Sequence, residues 1–239
     1  MIGDTRIGQT ESVYTAFIHQ MEKEKITTII NLGDAISTPG SPTEWERLLE
    51  ITGKGKTLHV ALGNHDVYDK ASLDLYTKLF EKPPYYSVEK GDTLLIFLST
   101  EMPQQWGKII GEQLTWLQAE LKRAFVYKLV FLHRPPFPTT FGTGHGLDRY
   151  GPDRDKLHQL FVENGVALVV AGHEHLYNRA QKDGLTYVIT GGGGARLLTY
   201  REDHGGFHHY VIAKRQNGGY LFTAYDMKGN VRDEFLVKK

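Results

Sequence analysis

Five short clusters of oxygen and nitrogen donors punctuate the chain: Asp4, Asp34, Asn64-His65-Asp66, His133 and His173-Glu174-His175. Carboxylate oxygens, an amide oxygen and imidazole nitrogens make a mixed ligand set that suits Zn, Mn or Fe better than Ca or soft copper. One carboxylate shared by two such ions can hold them about 3.5–4 Å apart, the spacing of two-metal hydrolysis. Any one cluster alone reads equally well as an isolated polar loop. Together they share a placement, because each follows a strand-like run. Open α/β sheets bind ligands just outside the carboxyl ends of their strands, so parallel strands bring such residues to one rim.

The elements that must position them are legible from periodicity and turn chemistry. Thr10 to Lys25 carries Val13, Phe17, Ile18 and Met21 near helical spacing. Ser41-Pro42-Thr43-Glu44 is a capping box with proline at the first helical position, opening a helix to Thr52. Further helices are expected over Ser72 to Phe80, Gly111 to Arg123 and Asp153 to Glu163. Strands are expected at Thr28 to Leu32, Leu58 to Leu62, Tyr127 to Leu132 and Val166 to Ala171, and a hairpin at Tyr85 to Glu89 with Thr93 to Leu98. From Leu185 onward the pattern changes to short β runs: Thr186 to Thr190, Phe207 to Ala213, Tyr220 to Tyr225 and Val231 to Val237. Alternating strands and helices imply a parallel sheet with crossover helices, and the β-rich tail implies antiparallel additions or a second sheet. Pro135 to Asp148 reads as a long loop that forms a lid or binding wall. Gly191 to Gly194 lacks the lysine and Ser/Thr of a phosphate-binding P-loop and reads as a tight turn between strands.

Composition narrows the function classes. The 239 residues carry no net charge, and no basic tract suggests a long nucleic-acid or membrane-surface partner. No run approaches a membrane span. The absence of cysteine excludes disulfides, thiolate metal sites and a cysteine nucleophile, and fits reducing and oxidising compartments alike. No linker or repeat divides the chain, so residues 1–239 are expected to be one domain. Met1-Ile2 reads as the clipped end of a strand with no room for a leader. The chain as given is therefore expected in the cytoplasm, and an exported form fits if an upstream segment is missing.

The series Gly3-Asp4, Gly33-Asp34, Gly63-Asn64-His65-Asp66, His133 and Gly172-His173-Glu174-His175 resembles the calcineurin-like metallophosphoesterase superfamily. Gly172 to Arg179 and the His133-Arg134-Pro135-Pro136-Phe137 loop are similar to its purple acid phosphatase branch. The resemblance spans Asp4 to His175, most of the chain. It implies an α/β fold, a four-layer α/β/β/α sandwich of two mixed β-sheets, and two divalent or mixed-valence Mn, Fe or Zn ions. Carried over residue by residue, Asp34 bridges both metals, Asn64, His133 and His173 complete the second site, and Asp4 and His175 bind the first. His65 faces the phosphate or leaving group, oriented by Asp66, and His145 matches loosely a phosphate-contacting histidine.

Two departures concern the first site. The family's D-x-H is here Asp4-Thr5-Arg6, and a guanidinium has no lone pair for a metal. The tyrosine that purple acid phosphatases use three residues after the bridging aspartate is here Ser37. Water, His204 or His208 is left to fill the gap. Arg6 is expected to bind the substrate phosphate, its fork matching that anion; the alternative is a salt bridge to Asp4 or Asp34. The implied reaction is hydrolysis of a small phosphate ester by metal-bound hydroxide, with His65 protonating the leaving oxygen. The alternatives are a phosphodiesterase or nuclease of the same fold and a catalytically impaired interaction module. Of the remaining side chains, His19 and His158 are expected at the surface, His59 within a sheet, and Trp45, Trp106 and Trp116 in packing. Tyr177 either lines the pocket or packs, and one of His204, His208 and His209 is a candidate for a site role.

Overall fold

The Ser41 hydroxyl accepts the Glu44 amide at 3.4 Å and starts the helix Pro42–Thr52, with proline in its first turn. A computed structural model describes residues 1–216 and 218–238. Five α-helices are formed among them: α1 (Ser12–Lys23), α2 (Pro42–Thr52), α3 (Lys70–Phe80), α4 (Gly111–Leu121) and α5 (Gly151–Glu163). The strands are β1 (Thr28–Asn31), β2 (Thr57–Val60), β3 (Tyr86–Lys90), β4 (Thr93–Phe97), β5 (Tyr127–Leu132), β6 (Leu168–Ala171), β7 (Tyr177–Lys182), β8 (Leu185–Thr190), β9 (His209–Gln216), β10 (Gly219–Asp226) and β11 (Val231–Lys238).

One sheet has the order β3-β4-β5-β6-β8-β7, with β4, β5, β6 and β8 parallel and antiparallel partners at both edges. The parallel pair β1-β2 and the antiparallel set β9-β10-β11 are joined by the short amino-terminal stretch. Ile2 donates to Ile30 O (3.0 Å) and accepts from Leu32 N (2.9 Å), while Met1 O accepts from Val211 N at 2.9 Å.

Three apolar layers separate four structural ones. Tyr14, Phe17, Trp45, Leu48 and Tyr76 of α1, α2 and α3 pack on Ile29, Val60 and Ile212. Ile30, Leu32, Val211 and Phe222 meet Leu95, Phe97, Phe131 and Val170 between the sheets. Leu117, Leu121, Leu157 and Phe161 of α4 and α5 cover Leu94, Ile96, Val130 and Val169. This is the expected α/β/β/α sandwich. Because β1, β2, β4, β5, β6 and β8 each pass their chain to loops at carboxyl ends, the donor clusters emerge from one side of both sheets.

Four local expectations are corrected. β7 forms where the sequence reading places no element, because Tyr177–Lys182 is an edge strand with one buried residue and so carries little apolar alternation. His158 is 6 % exposed, with Nδ1 on the Tyr187 hydroxyl (2.7 Å) and Nε2 on Asp183 (2.8 Å). Trp106 is 47 % exposed, whereas Trp45 and Trp116 pack as expected. The run Gly191 to Gly194 is no tight turn between strands: it begins the long β8–β9 connection and lies against Gly3 and Asp4. Gly193 N donates to Gly3 O at 2.9 Å and Ala195 N to Asp4 O at 3.0 Å.

Candidate metal centre

His133, at the end of the central strand β5, is a hub. Its Nδ1–H donates to Leu32 O at 2.8 Å, which leaves the Nε2 lone pair free. That nitrogen lies 3.2 Å from Asn64 Oδ1, 3.1 Å from His173 Nδ1 and 3.3 Å from Asp34 Oδ1. Ligands about 2.0–2.2 Å from one ion stand roughly this far from each other. A second group forms beside it: donor atoms of Asp4, Asp34 and His175 all lie within 4.8 Å of one another. His175 Nδ1–H donates to Arg196 O (2.8 Å), turning Nε2 toward Asp4 Oδ1 at 3.4 Å. Carbonyls thus fix the tautomer of both imidazoles, as outer-shell partners of metal-binding histidines do. Asp34 belongs to both groups.

The site is held where a side chain costs most. Asp4 (φ 61°), Arg6 (φ 51°), Asp34 (φ 50°) and His173 (φ 69°) are four of the eight non-glycine residues with left-handed backbone among those described. Each such residue stores strain of order 1–3 kcal/mol that the surroundings must hold. Gly33, at φ +91°, is forced in two ways, since a Cβ there would stand 2.5 Å from His133 Nδ1. A Cβ at Gly172 would stand 2.8 Å from Asp4 Oδ2.

Burial is severe for the anions. Asp4 is fully buried, and desolvation, opposed by His175, pushes its carboxyl up to about 7. Its Oδ1 has no hydrogen-bond donor, an orphan acceptor that a cation would satisfy. Burial lowers His175, but the Asp4 carboxylate more than offsets it and raises it to about 8. Burial keeps His133 and His173 well below the usual histidine range, and thus neutral donors. The residues present therefore fit a pair of cations. Protons compete for Asp4 and His175, so metal affinity should fall at least about tenfold per pH unit below pH 7 and level off above about 8. Calorimetric metal titrations across that range measure this.

Several expected roles change. Asp66 does not touch the His65 ring. Its carboxylate accepts the amides of Ala35 (2.9 Å), Ile36 (3.1 Å) and Gly63 (2.8 Å), tying the Asp34 loop to its own. Being fully buried, it serves backbone donors that have no other partner. The His65 ring is oriented instead by Ser37 O, which accepts its Nδ1–H at 3.0 Å, leaving Nε2 4.0 Å from Asp34 Oδ2. Asp66→Ala should destabilise the fold by about 3 kcal/mol, because three buried amides lose their acceptor; urea unfolding measures the shift. Arg6 NH1 lies 3.5 Å from Asp34 Oδ2, and its buried Nε has no acceptor. Ser37 Oγ donates to Arg6 O at 2.9 Å. His145 is exposed, and its backbone carbonyl, not its ring, is engaged.

None of the tail histidines joins the first group. His209 is fully buried between Phe207 O (2.9 Å) and the Thr190 hydroxyl (3.1 Å), His208 bonds Gly192 O (3.1 Å), and His204 lies on the Phe141 ring. Tyr177 packs against Phe207 and His209 and donates to Asp233 at 2.7 Å.

The sequence reading missed two ion-bearing supports. Glu101, 2 % exposed, grips Arg134 through Oε1 (2.6 Å) and Oε2 (3.0 Å), and Arg134 NH1 in turn holds His145 O at 2.9 Å. The signal was present: Glu101 follows an apolar strand, like Asp34. Glu174, inside the GHEH motif, accepts the Thr139 amide (2.9 Å) and hydroxyl and so fastens the long loop.

Comparison with known proteins agrees with this geometry. Similar curated proteins include a probable cyclic nucleotide phosphodiesterase of Synechococcus sp., 29% identical over 157 residues, which cover 64% of this chain and 60% of the relative. Purple acid phosphatase 23 of Arabidopsis thaliana is 25% identical over 244 residues, 81% of this chain and 51% of its own. The chain thus spans about half to three fifths of the length of these relatives. Among solved structures, a purple acid phosphatase of yellow lupin (Lupinus luteus) superposes with TM-score 0.76 at 17% identity, over 95% of this chain and 49% of that one. GAP50, the anchor in the inner membrane complex of Plasmodium, superposes with TM-score 0.77 at 14% identity, over 99% and 87%. These two likenesses show the fold. Among the described residues no helix is long and apolar enough to cross a membrane. The calcineurin-like phosphoesterase sequence model matches residues 1–177, across both donor groups, and the chain belongs to that family.

Proposed function

We propose that this protein hydrolyses small phosphate esters, with two metal ions held at the paired donor groups. The observation that supports this reading is the sharing of Asp34 between an Asp4–His175 group and an Asn64–His133–His173 group. A bound pair of Mn, Fe or Zn ions would supply Lewis-acid charge at phosphorus and lower the pKa of water. Asp4, Asp34 and His175 would hold the first ion, and Asp34, Asn64, His133 and His173 the second.

The side chains that remain divide the other tasks. His65, half-exposed and anchored through Nδ1, turns Nε2 toward Asp34 and is placed to deliver a proton to the leaving oxygen. Arg6 approaches Asp34 through NH1 at 3.5 Å, and the terminal guanidinium donors that this contact leaves take a phosphate oxygen. The added positive charge favours the dianion of a monoester over a diester. Asp66 and Glu101 hold the loops that carry these groups.

Turnover of nitrophenyl phosphate and bis-nitrophenyl phosphate with added manganese tests this. Faster hydrolysis of the monoester is expected; faster diester turnover points to a phosphodiesterase. Arg6→Ala should raise KM for the monoester about tenfold or more, the loss of one charge-assisted contact. A second reading, an interaction module without catalysis, is favoured by the guanidinium standing against Asp34 where the family places a ligand. On that reading neither ester is turned over, and Arg6→Ala increases metal uptake.

A further inference from the structure

Exposed aromatic rings are confined to the rim that carries the donor clusters. Among the described residues, Tyr68 (65 %), Trp106 (47 %), Phe141 (43 %) and Tyr200 (72 %) are the Phe, Tyr and Trp side chains more than two fifths exposed. Tyr68 lies between β2 and α3, Trp106 between β4 and α4, Phe141 between β5 and α5, and Tyr200 between β8 and β9. Every one of these loops leaves the carboxyl end of a strand. Single exposed apolar residues are ordinary on a protein surface. Here, however, they are not scattered, and two of them meet.

The rings of Tyr68 and Trp106 come from different sheets and stand 5.8 Å apart, inclined at 36°. Both are on anchored backbone. Tyr68 N donates to Ser72 Oγ at 3.0 Å, inside the capping box that starts α3. The Trp106 turn is closed by Gln105 N to Met102 O (2.9 Å) and Gly107 N to Thr100 O (2.8 Å). Thr100 Oγ1 accepts the amide of Arg134 (3.2 Å), and Glu101 grips its guanidinium. The pair is therefore tied on one side to the segment two residues past Asp66, and on the other to the residue next to His133.

We propose that Tyr68 and Trp106 form a platform that binds a flat aromatic ring in the organic part of the phosphate ester. Stacking on such rings gains affinity at a modest ordering cost, because each ring has only two side-chain torsions and stands on anchored backbone. The proposal rests on the hydrolase reading for its substrate, but the platform can be tested apart from turnover.

The kinetic test compares 2-phenylethyl phosphate with butyl phosphate, whose leaving alcohols are similar in basicity. Wild type should favour the phenylethyl ester by about 10- to 100-fold in kcat/KM, the range of one or two stacking contacts. The double variant Tyr68→Ala/Trp106→Ala should bring the ratio close to one, and Trp106→Phe should keep most of it. A ratio near one in wild type, or a ratio that survives in the double variant, overturns the platform. Should neither ester be hydrolysed, the hydrolase reading fails by itself. Fluorescence titration of wild type with benzylphosphonate and propylphosphonate then decides the platform. Tighter benzylphosphonate binding, lost in the double variant, sustains it, and equal binding overturns it.

Discussion

Asp34→Ala is expected to lower kcat/KM for phosphate esters by at least about 10³-fold, and to reduce bound metal to one ion per chain or fewer. Asp34 is the one residue that contributes to both donor groups, through Oδ1 beside His133 Nε2 at 3.3 Å and through its place with Asp4 and His175. Lewis-acid stabilisation at phosphorus is worth several kcal/mol, and about 4 kcal/mol corresponds to about a thousandfold in rate. The same change should not unfold the protein. Burial raises Asp4 and Asp66, and the charge of Asp34 adds to that in both cases. Removing this anion relieves repulsion in a buried cluster but leaves the His65 amide without its acceptor, so stability measured in chelator should change by no more than about 1 kcal/mol. Loss of activity with loss of structure would assign Asp34 to the fold.

His65→Ala is expected to cost about 10²–10⁴-fold on an alkyl phosphate, the range for a positioned general acid, and much less on nitrophenyl phosphate. Nitrophenolate leaves without a proton, whereas an alkoxide does not. The ring is suited to this by position: Ser37 O holds Nδ1–H, Nε2 faces the site, and 34 % side-chain exposure leaves room for a leaving group. A fully buried histidine such as His133 has neither freedom nor exposure. Equal losses on the two esters would remove the acid role and leave His65 as a phosphate-binding residue.

Much of this was legible in the sequence because the signals were local. Each donor cluster follows an apolar strand, and strand ends define the rim, so Asp34, Asn64, His133 and His173 were expected together and stand within contact of His133. What was not legible depends on contacts between distant segments. Asp66 and His65 are neighbours in sequence, yet the Asp66 carboxylate turns to three backbone amides of two loops, and no one-dimensional pattern records an orphaned amide. His158 lies in a helical pattern that reads as exposed, but Tyr187 and Asp183 from β8 and its turn enclose it. β7 was missed because an edge strand buries one residue and alternates little. Arg6 is expected from the sequence to bind phosphate or to pair with Asp4 or Asp34, and the structure places its NH1 3.5 Å from Asp34 Oδ2.

The most direct test is metal stoichiometry in protein purified without chelator, by elemental mass spectrometry at about pH 9, above the range in which Asp4 and His175 hold competing protons. Two transition-metal ions per chain, falling to one or fewer in Asp34→Ala, are the predicted result. A stoichiometry of zero in wild type, with none taken up from added manganese, iron or zinc, would contradict a catalytic metal pair at this rim.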